Sequence, residues 1–139
     1  MAAILAHIRV KPGTEAAFEE AVRTRYRSTH DNEDNLRHYE YWRGQEPGHY
    51  YTLLAFDDYN GFLEHESSDY QDNAGPGLGG SIAEIRLEWV DPIEGASPLP
   101  PTNMQELGAD ASDGMRRIHD TMPAQVQPWW QALRGASGQ

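Results

Sequence analysis

The sequence predicts an α+β domain of ferredoxin-like βαββαβ type, with an antiparallel sheet. Three observations carry that prediction. Ala2–Val10 and Ile82–Val90 alternate with a period of two, and the segment from Phe18 to Tyr26 repeats its apolar residues at helical spacing. Between them lie two aromatic-rich runs, Leu36–Arg43 and His49–Phe56, joined by the turn residues Gln45-Glu46-Pro47-Gly48. A link that short makes the middle pair antiparallel.

In the first strand Ile4, Ala6, Ile8 and Val10 share one face, and Leu5, His7 and Arg9 share the other. Pro12-Gly13 turns the chain, and Thr14 stands where a helix N-cap belongs, with Glu15 in the first turn. Phe18, Ala21, Val22 and Tyr26 form the inner stripe of a helix running to about His30, with Glu19, Glu20, Arg23 and Arg27 outside. Asp31–Asn35 reads as a polar loop. The apolar third strand breaks at Asp57-Asp58 and hands over to a short helix around Asn60–Ser68 carrying Phe62, Leu63 and His65. Gly75–Gly80 is expected as a turn or lid, since it lacks the Lys-Ser/Thr ending of a phosphate loop. In the last strand Ile85, Leu87 and Trp89 oppose Glu84, Arg86 and Glu88, where Arg86 is expected in a surface pair.

The domain is placed at residues 1–94, with 95–139 a linker (GASPLPP) and a C-terminal helical extension. Thr102 and Gln105 fit a capping box, and Met104, Leu107, Ala111, Met115, Ile118 and Met122 follow as a helical stripe that Pro123 stops. Val126, Trp129, Trp130 and Leu133 suit a last apolar turn. This tail cannot bury its stripe alone, so it is expected to dock on its own domain or on a partner. Two helices cover one face of a four-stranded sheet, and the first and third strands are apolar on both faces. A homodimer packed sheet to sheet is therefore expected.

Composition narrows the partners. Eleven basic residues against 22 acidic ones give a net charge of -11, which repels phosphate backbones and anionic lipids, so neither nucleic acid nor a membrane surface is expected as partner. The absence of cysteine excludes disulfides, thiolate nucleophiles and iron–sulfur clusters. MAAILAHIRV resembles neither a signal peptide nor a membrane span, and a cytoplasmic location is the expectation. No two histidines are spaced to share a metal. His65 carries an imidazole, the side chain most often used as a general base, while the plainer reading has it packing the helix end, held by Ser67 or Ser68. His7 and His38 sit on strands, either facing the pocket or the dimer barrel or, in the plainer reading, hydrogen-bonded in the core. Tyr39, Tyr41, Tyr50, Tyr51, Trp42 and Trp89 line an aromatic cavity if they face inward, and otherwise pack the sheet.

Four stretches, IRVKPGTEAAFEEAV, LRHYEYWR, YYTLLAFDDYNGFLEHESSDY and EWVDPI, resemble the antibiotic biosynthesis monooxygenase domains of the dimeric α+β barrel superfamily. The resemblance spans roughly residues 3–94. It implies a dimer whose sheets pack into a barrel, with a pocket in each subunit between sheet and helices. It also implies oxidation of a small aromatic, quinol or polyketide-type substrate by dioxygen without flavin, metal or other cofactor. Under that resemblance His65 is the catalytic residue, and His7, His38, Tyr39, Tyr51, Phe56, Phe62 and Trp89 line the substrate pocket. Thr52 and Phe56 stand where the polyketide-oxidising branch carries Asn and Trp. The haem-degrading branch carries Asn, Trp and a ligating His where this chain has His7, His65 and about Asn73-Ala74-Gly75. Two alternatives stand beside the oxidase reading. One is a non-catalytic dimeric module that binds a small hydrophobic ligand, or a protein through the Trp129-Trp130 tail; the other is an isomerase of a small carbonyl compound.

Overall fold

The computed structural model describes residues 1–67, 80–122 and 126–136. β1 (Ala2–Val10) and β3 (His49–Phe56) form the centre of one sheet, and β2 (Leu36–Arg43) and β4 (Ile82–Trp89) form its edges. The order is β2-β3-β1-β4 and every neighbouring pair is antiparallel. α1 (Glu15–Asn32) follows β1 and α2 (Tyr59–Ser67) follows β3, which completes the ferredoxin-like arrangement predicted above.

The period-two pattern sorts the side chains. Ala2, Ile4, Ala6, Ile8 and Val10 are buried on the face covered by helices. That layer has two halves. Phe18, Ala21 and Val22 of α1 pack on Ala6, Ile8, Val10 and Tyr50. Phe62 and Leu63 of α2 pack on Ile4, Tyr39, Leu54 and Phe56. Gly48 closes the β2–β3 turn at φ +80, a conformation that suits glycine, and its carbonyl accepts from Val10 N at 2.9 Å. α2 has nine residues, too few to persist by propensity, so its burial and its start hold it. Asp58 Oδ1 accepts from Gly61 N at 2.8 Å, as an N-cap does.

The other face carries Leu5 opposite Leu53, both half-buried, with Tyr51 and Trp42 exposed near them. It also carries His7–Glu88 (2.6 Å), Arg9–Glu84 (2.8 Å) and His38–Glu40 (2.9 Å). Arg86 pairs with Glu88 at 3.5 Å, as expected of a surface strand residue. Met1, Ala3 and Ala55, packed with Val90 and Leu99, form a small third cluster.

The tail docks on its own domain. α3 (Asp113–Thr121) lies against α2, and Leu107, Ala111, Met115, Ile118 and Met122 join the α2 half of the core. Tyr59 donates its hydroxyl to Met122 O at 2.9 Å. The expected capping box is absent: no helix begins at Thr102, and α3 starts only after Ser112, whose Oγ accepts from Met115 N. Thr102 instead donates to Val90 O (2.6 Å), and Gln105 bonds both Tyr59 N (2.6 Å) and Met1 O (3.2 Å). Backbone groups left over at the end of β4, the chain start and the head of α2 take these side chains, which outcompetes a helix preceded by two prolines. Met104, expected in the stripe, is exposed. α4 (Pro128–Ala136) is anchored by buried Trp130 and by Arg134, which pairs with Asp91 and donates to Thr102 O at 2.7 Å. Thr14 precedes α1 without a side-chain cap, since its hydroxyl donates to Lys11 O. Residues 75–79, Asn73, Ser68 and Pro123 lie outside the described residues. Among the described residues no helix is long and apolar enough to cross a membrane.

Candidate active site

His65 is carried on the inner face of α2, one turn after Phe62, and is fully buried. The rings of Tyr39 and Phe56 stand 5.3 and 5.4 Å from it. Its Nδ1 lies 2.9 Å from Glu33 Oε2, and its Nε2 lies 3.1 Å from Arg25 Nη2. A guanidinium can only donate, so Nε2 must accept, which leaves the ring proton on Nδ1, donated to the Glu33 carboxylate. His65 is thereby held as the neutral Nδ1–H tautomer between an acid and a base. Neither Ser67 nor Ser68 is needed for this; Ser67 Oγ donates to Leu63 O at 2.7 Å.

Arg25, Thr29 and Glu33 are four residues apart along α1 and its C-cap and so share one stripe. Arg25 also reaches Glu66 at 3.8 Å. Arg25 Nε, Thr29 Oγ1 and Glu33 Oε1 are buried and make no hydrogen bond among the described residues. Three underused polar atoms in one place mark the spot as one where packing alone did not choose the residues.

Tyr39 and Tyr41 stand between this cluster and a cleft. Their hydroxyls share a hydrogen bond of 2.7 Å. Burial pushes both phenols above their ordinary range, so both stay neutral, and for both the Arg25 charge pulls the other way. The cleft, about 810 Å³, opens between α1 and edge strand β2, walled by Val22, Tyr26, Tyr41, Trp42 and Tyr50. Glu19 ties its two sides together: Arg43 donates to both carboxylate oxygens (2.9 and 2.5 Å) and Tyr50 donates at 2.6 Å. These bonds, Arg43 first and then Tyr50, hold the Glu19 carboxyl down at about 2, while burial and the same carboxylate push Tyr50 up to about 12.

The single pocket expected from the sequence is divided by the sheet. Tyr39, Phe56 and Phe62 gather with His65 on the helix side, and Trp89 packs 5.7 Å from Phe62 there. His7 and Tyr51 lie on the opposite face, 5.5 Å from each other, and His38 lies there too, beside Glu40. Strand alternation separates them: His7 and Tyr51 are odd-numbered in β1 and β3, whose even-numbered residues meet the helices. Among the described residues no three His, Asp or Glu side chains gather to hold a metal ion.

Arg25 and Glu33 were not legible as site residues. The apolar stripe Phe18–Val22 continues through Arg25 and Thr29, whereas Tyr26 is 42% exposed and lines the cleft. An arginine on a helix reads by default as solvated. The available signal was the spacing alone, Phe18, Val22, Arg25, Thr29, in steps of four, three and four.

The model of the family described as "Antibiotic biosynthesis monooxygenase" matches residues 1–75, more than half of the chain. Nothing among curated proteins matches. Among solved structures, a provisionally assigned antibiotic biosynthesis monooxygenase of Caulobacter crescentus is similar at 25% identity and TM-score 0.62, over 67% of this chain and 90% of that one. Rv0793 of Mycobacterium tuberculosis matches at 18% identity and TM-score 0.59, over 69% and 98%. A Nitrosomonas europaea protein, given the same provisional assignment as the Caulobacter one, matches at 15% and 0.61, over 67% and 99%. The last two likenesses speak for the fold only. The match over residues 1–75, on the strand and helix order described here, places this chain in the antibiotic biosynthesis monooxygenase family.

Proposed function

We propose that the chain is a cofactor-independent oxygenase that oxidises a small electron-rich aromatic, quinol or polyketide-type substrate with dioxygen in the α1–β2 cleft. The observation that carries this reading is the Arg25–His65–Glu33 cluster set behind Tyr39 and Tyr41 of that cleft. Charges buried this deeply are costly for stability, and such clusters beside a cavity concentrate at functional sites.

In the proposed step a methylene flanked by aryl groups loses a proton to His65 Nε2. Arg25 leaves that nitrogen and pairs with the anion formed, and Glu33 stabilises the imidazolium from the other side. The rings of Tyr26 and Tyr39 turn to admit the substrate, because His65 is closed off as it stands. The carbanion adds dioxygen through one-electron transfer and radical recombination, a proton completes the hydroperoxide, and loss of water leaves a carbonyl. Carbon gives up four electrons and dioxygen accepts four; one oxygen atom stays in the product and the other leaves in water. Proteins of this family are commonly dimeric. The apolar patch of Leu5, Leu53, Tyr51 and Trp42 supports a homodimer joined through the outer sheet faces.

One observation favours a second reading, a non-catalytic module that binds a small aromatic molecule. His65 is fully buried and its basic lone pair is already taken. Oxygen uptake with a panel of hydroquinones and anthrones separates the two. The oxygenase reading expects uptake above the buffer rate and a fall of about 100-fold or more in His65→Ala, with circular dichroism confirming the fold. Equal turnover in both removes His65 from the chemistry. Ligand binding without uptake establishes the second reading.

A further inference from the structure

We infer that the ligand of the α1–β2 cleft is an aromatic acid, and that Arg27 takes its carboxylate; this rests on the cleft being the substrate site. On a chain with net charge -11, the cleft is lined by three arginines, Arg23, Arg27 and Arg43, against two glutamates, Glu19 and Glu40. An acidic protein repels anions over most of its surface, so a local excess of guanidinium groups is where an anionic ligand is drawn in. The glutamates are committed. Glu19 is held by Arg43 and Tyr50, and Glu40 lies 2.9 Å from His38.

The arginines are not equally free. Both Arg43 nitrogens that reach Glu19 are used, and Arg23 pairs with Glu20 at 3.1 Å and Glu19 at 3.6 Å. Arg27 makes no hydrogen bond or ion pair among the described residues. It lies one turn beyond Arg23 and next to Tyr26, whose exposed ring forms the cleft wall. A ring stacked in the aromatic walls places a carboxylate at the rim, where a guanidinium offers two parallel donors that a carboxylate matches. A neutral quinol satisfies the aromatic walls but leaves Arg27 without its partner.

The test is equilibrium binding of a para-dihydroxybenzoate and of its methyl ester under anaerobic conditions, to the full chain and to Arg27→Gln. Arg27 is exposed, so the substitution leaves the core untouched. The acid is expected to bind roughly tenfold tighter than the ester, with the preference shrinking as salt is added. Arg27→Gln is expected to erase the preference while leaving the ester's affinity unchanged. Equal binding of acid and ester, no binding of either, or a preference that survives in Arg27→Gln overturns the inference. Binding is read without turnover, so the two proposals fail separately. Acid preference without oxygen uptake by any substrate removes the oxygenase reading alone; uptake on neutral quinols without acid preference removes this inference alone.

Discussion

Two histidine–carboxylate pairs of similar length lie on opposite sides of the same sheet. His65–Glu33, at 2.9 Å, has side chains 0% and 6% exposed; His7–Glu88, at 2.6 Å, has 29% and 43%. Distance does not separate them. Water does: the outer pair is screened and can re-solvate either member, whereas the inner pair has only Arg25 and the surrounding rings to answer to. Contact length is therefore a poor guide to what a pair does, and burial with a third charged partner is a better one.

The largest expected effect follows directly. Glu33→Ala leaves the buried His65 Nδ1–H without its acceptor and the Arg25 charge with Glu66, at 3.8 Å, as its remaining carboxylate, and is expected to cost about 3 kcal/mol, read from urea denaturation. A loss below about 1 kcal/mol would make the inner pair equivalent to the outer one and dissolve the contrast. Next comes Gly61→Ala, which acts on the helix that aims His65. An added Cβ would clash with the side-chain amide of Asn35, so either Asn35 swings away or α2 shifts. The expected loss is about 1–3 kcal/mol, with a change in the His65 ring resonances by NMR; unchanged resonances would mean that Asn35 simply yields.

These two positions also show what could be read beforehand. The strands and α1 were legible because period-two and helical spacing depend on neighbours within a few residues. The tail's docking stripe was visible in the same way, from Leu107 to Met122. The Arg25–His65–Glu33 cluster joins residues 32 and 40 positions apart in sequence. No local pattern announces which polar residue of a helix turns inward. His65 stood out by its type, Arg25 was hidden by its type, and the side of the sheet that His7 takes was left open because both faces of β1 begin apolar. The tail erred for another reason: Thr102 and Gln105 suit a cap, but unpaired backbone groups elsewhere in the fold claimed them.

Glu19 stands between the two extremes, with its side chain 19% exposed. Its carboxyl is held at about 2 against an ordinary 4.5, so its contribution is present in full above about pH 4.5 and fades as the pH falls towards 2. Glu19→Gln is expected to lose on the order of 1 kcal/mol at neutral pH, and to show a flatter fall in urea midpoint across that acid window. A parallel fall in both proteins would contradict the assignment. The smallest effect is expected outside: Glu88→Gln should change stability by less than ~1 kcal/mol, and by still less in high salt. A larger loss would show that the outer face is buried in a dimer.

The central claim is that dioxygen is reduced on a substrate held beside the buried histidine. Turnover of an anthrone under isotopically labelled dioxygen tests it most directly, with product analysed by mass spectrometry. The account predicts one labelled oxygen atom in the new carbonyl, formed above the buffer rate by the native chain and lost in His65→Ala. Product formed no faster than in buffer, or equally fast without His65, would contradict it.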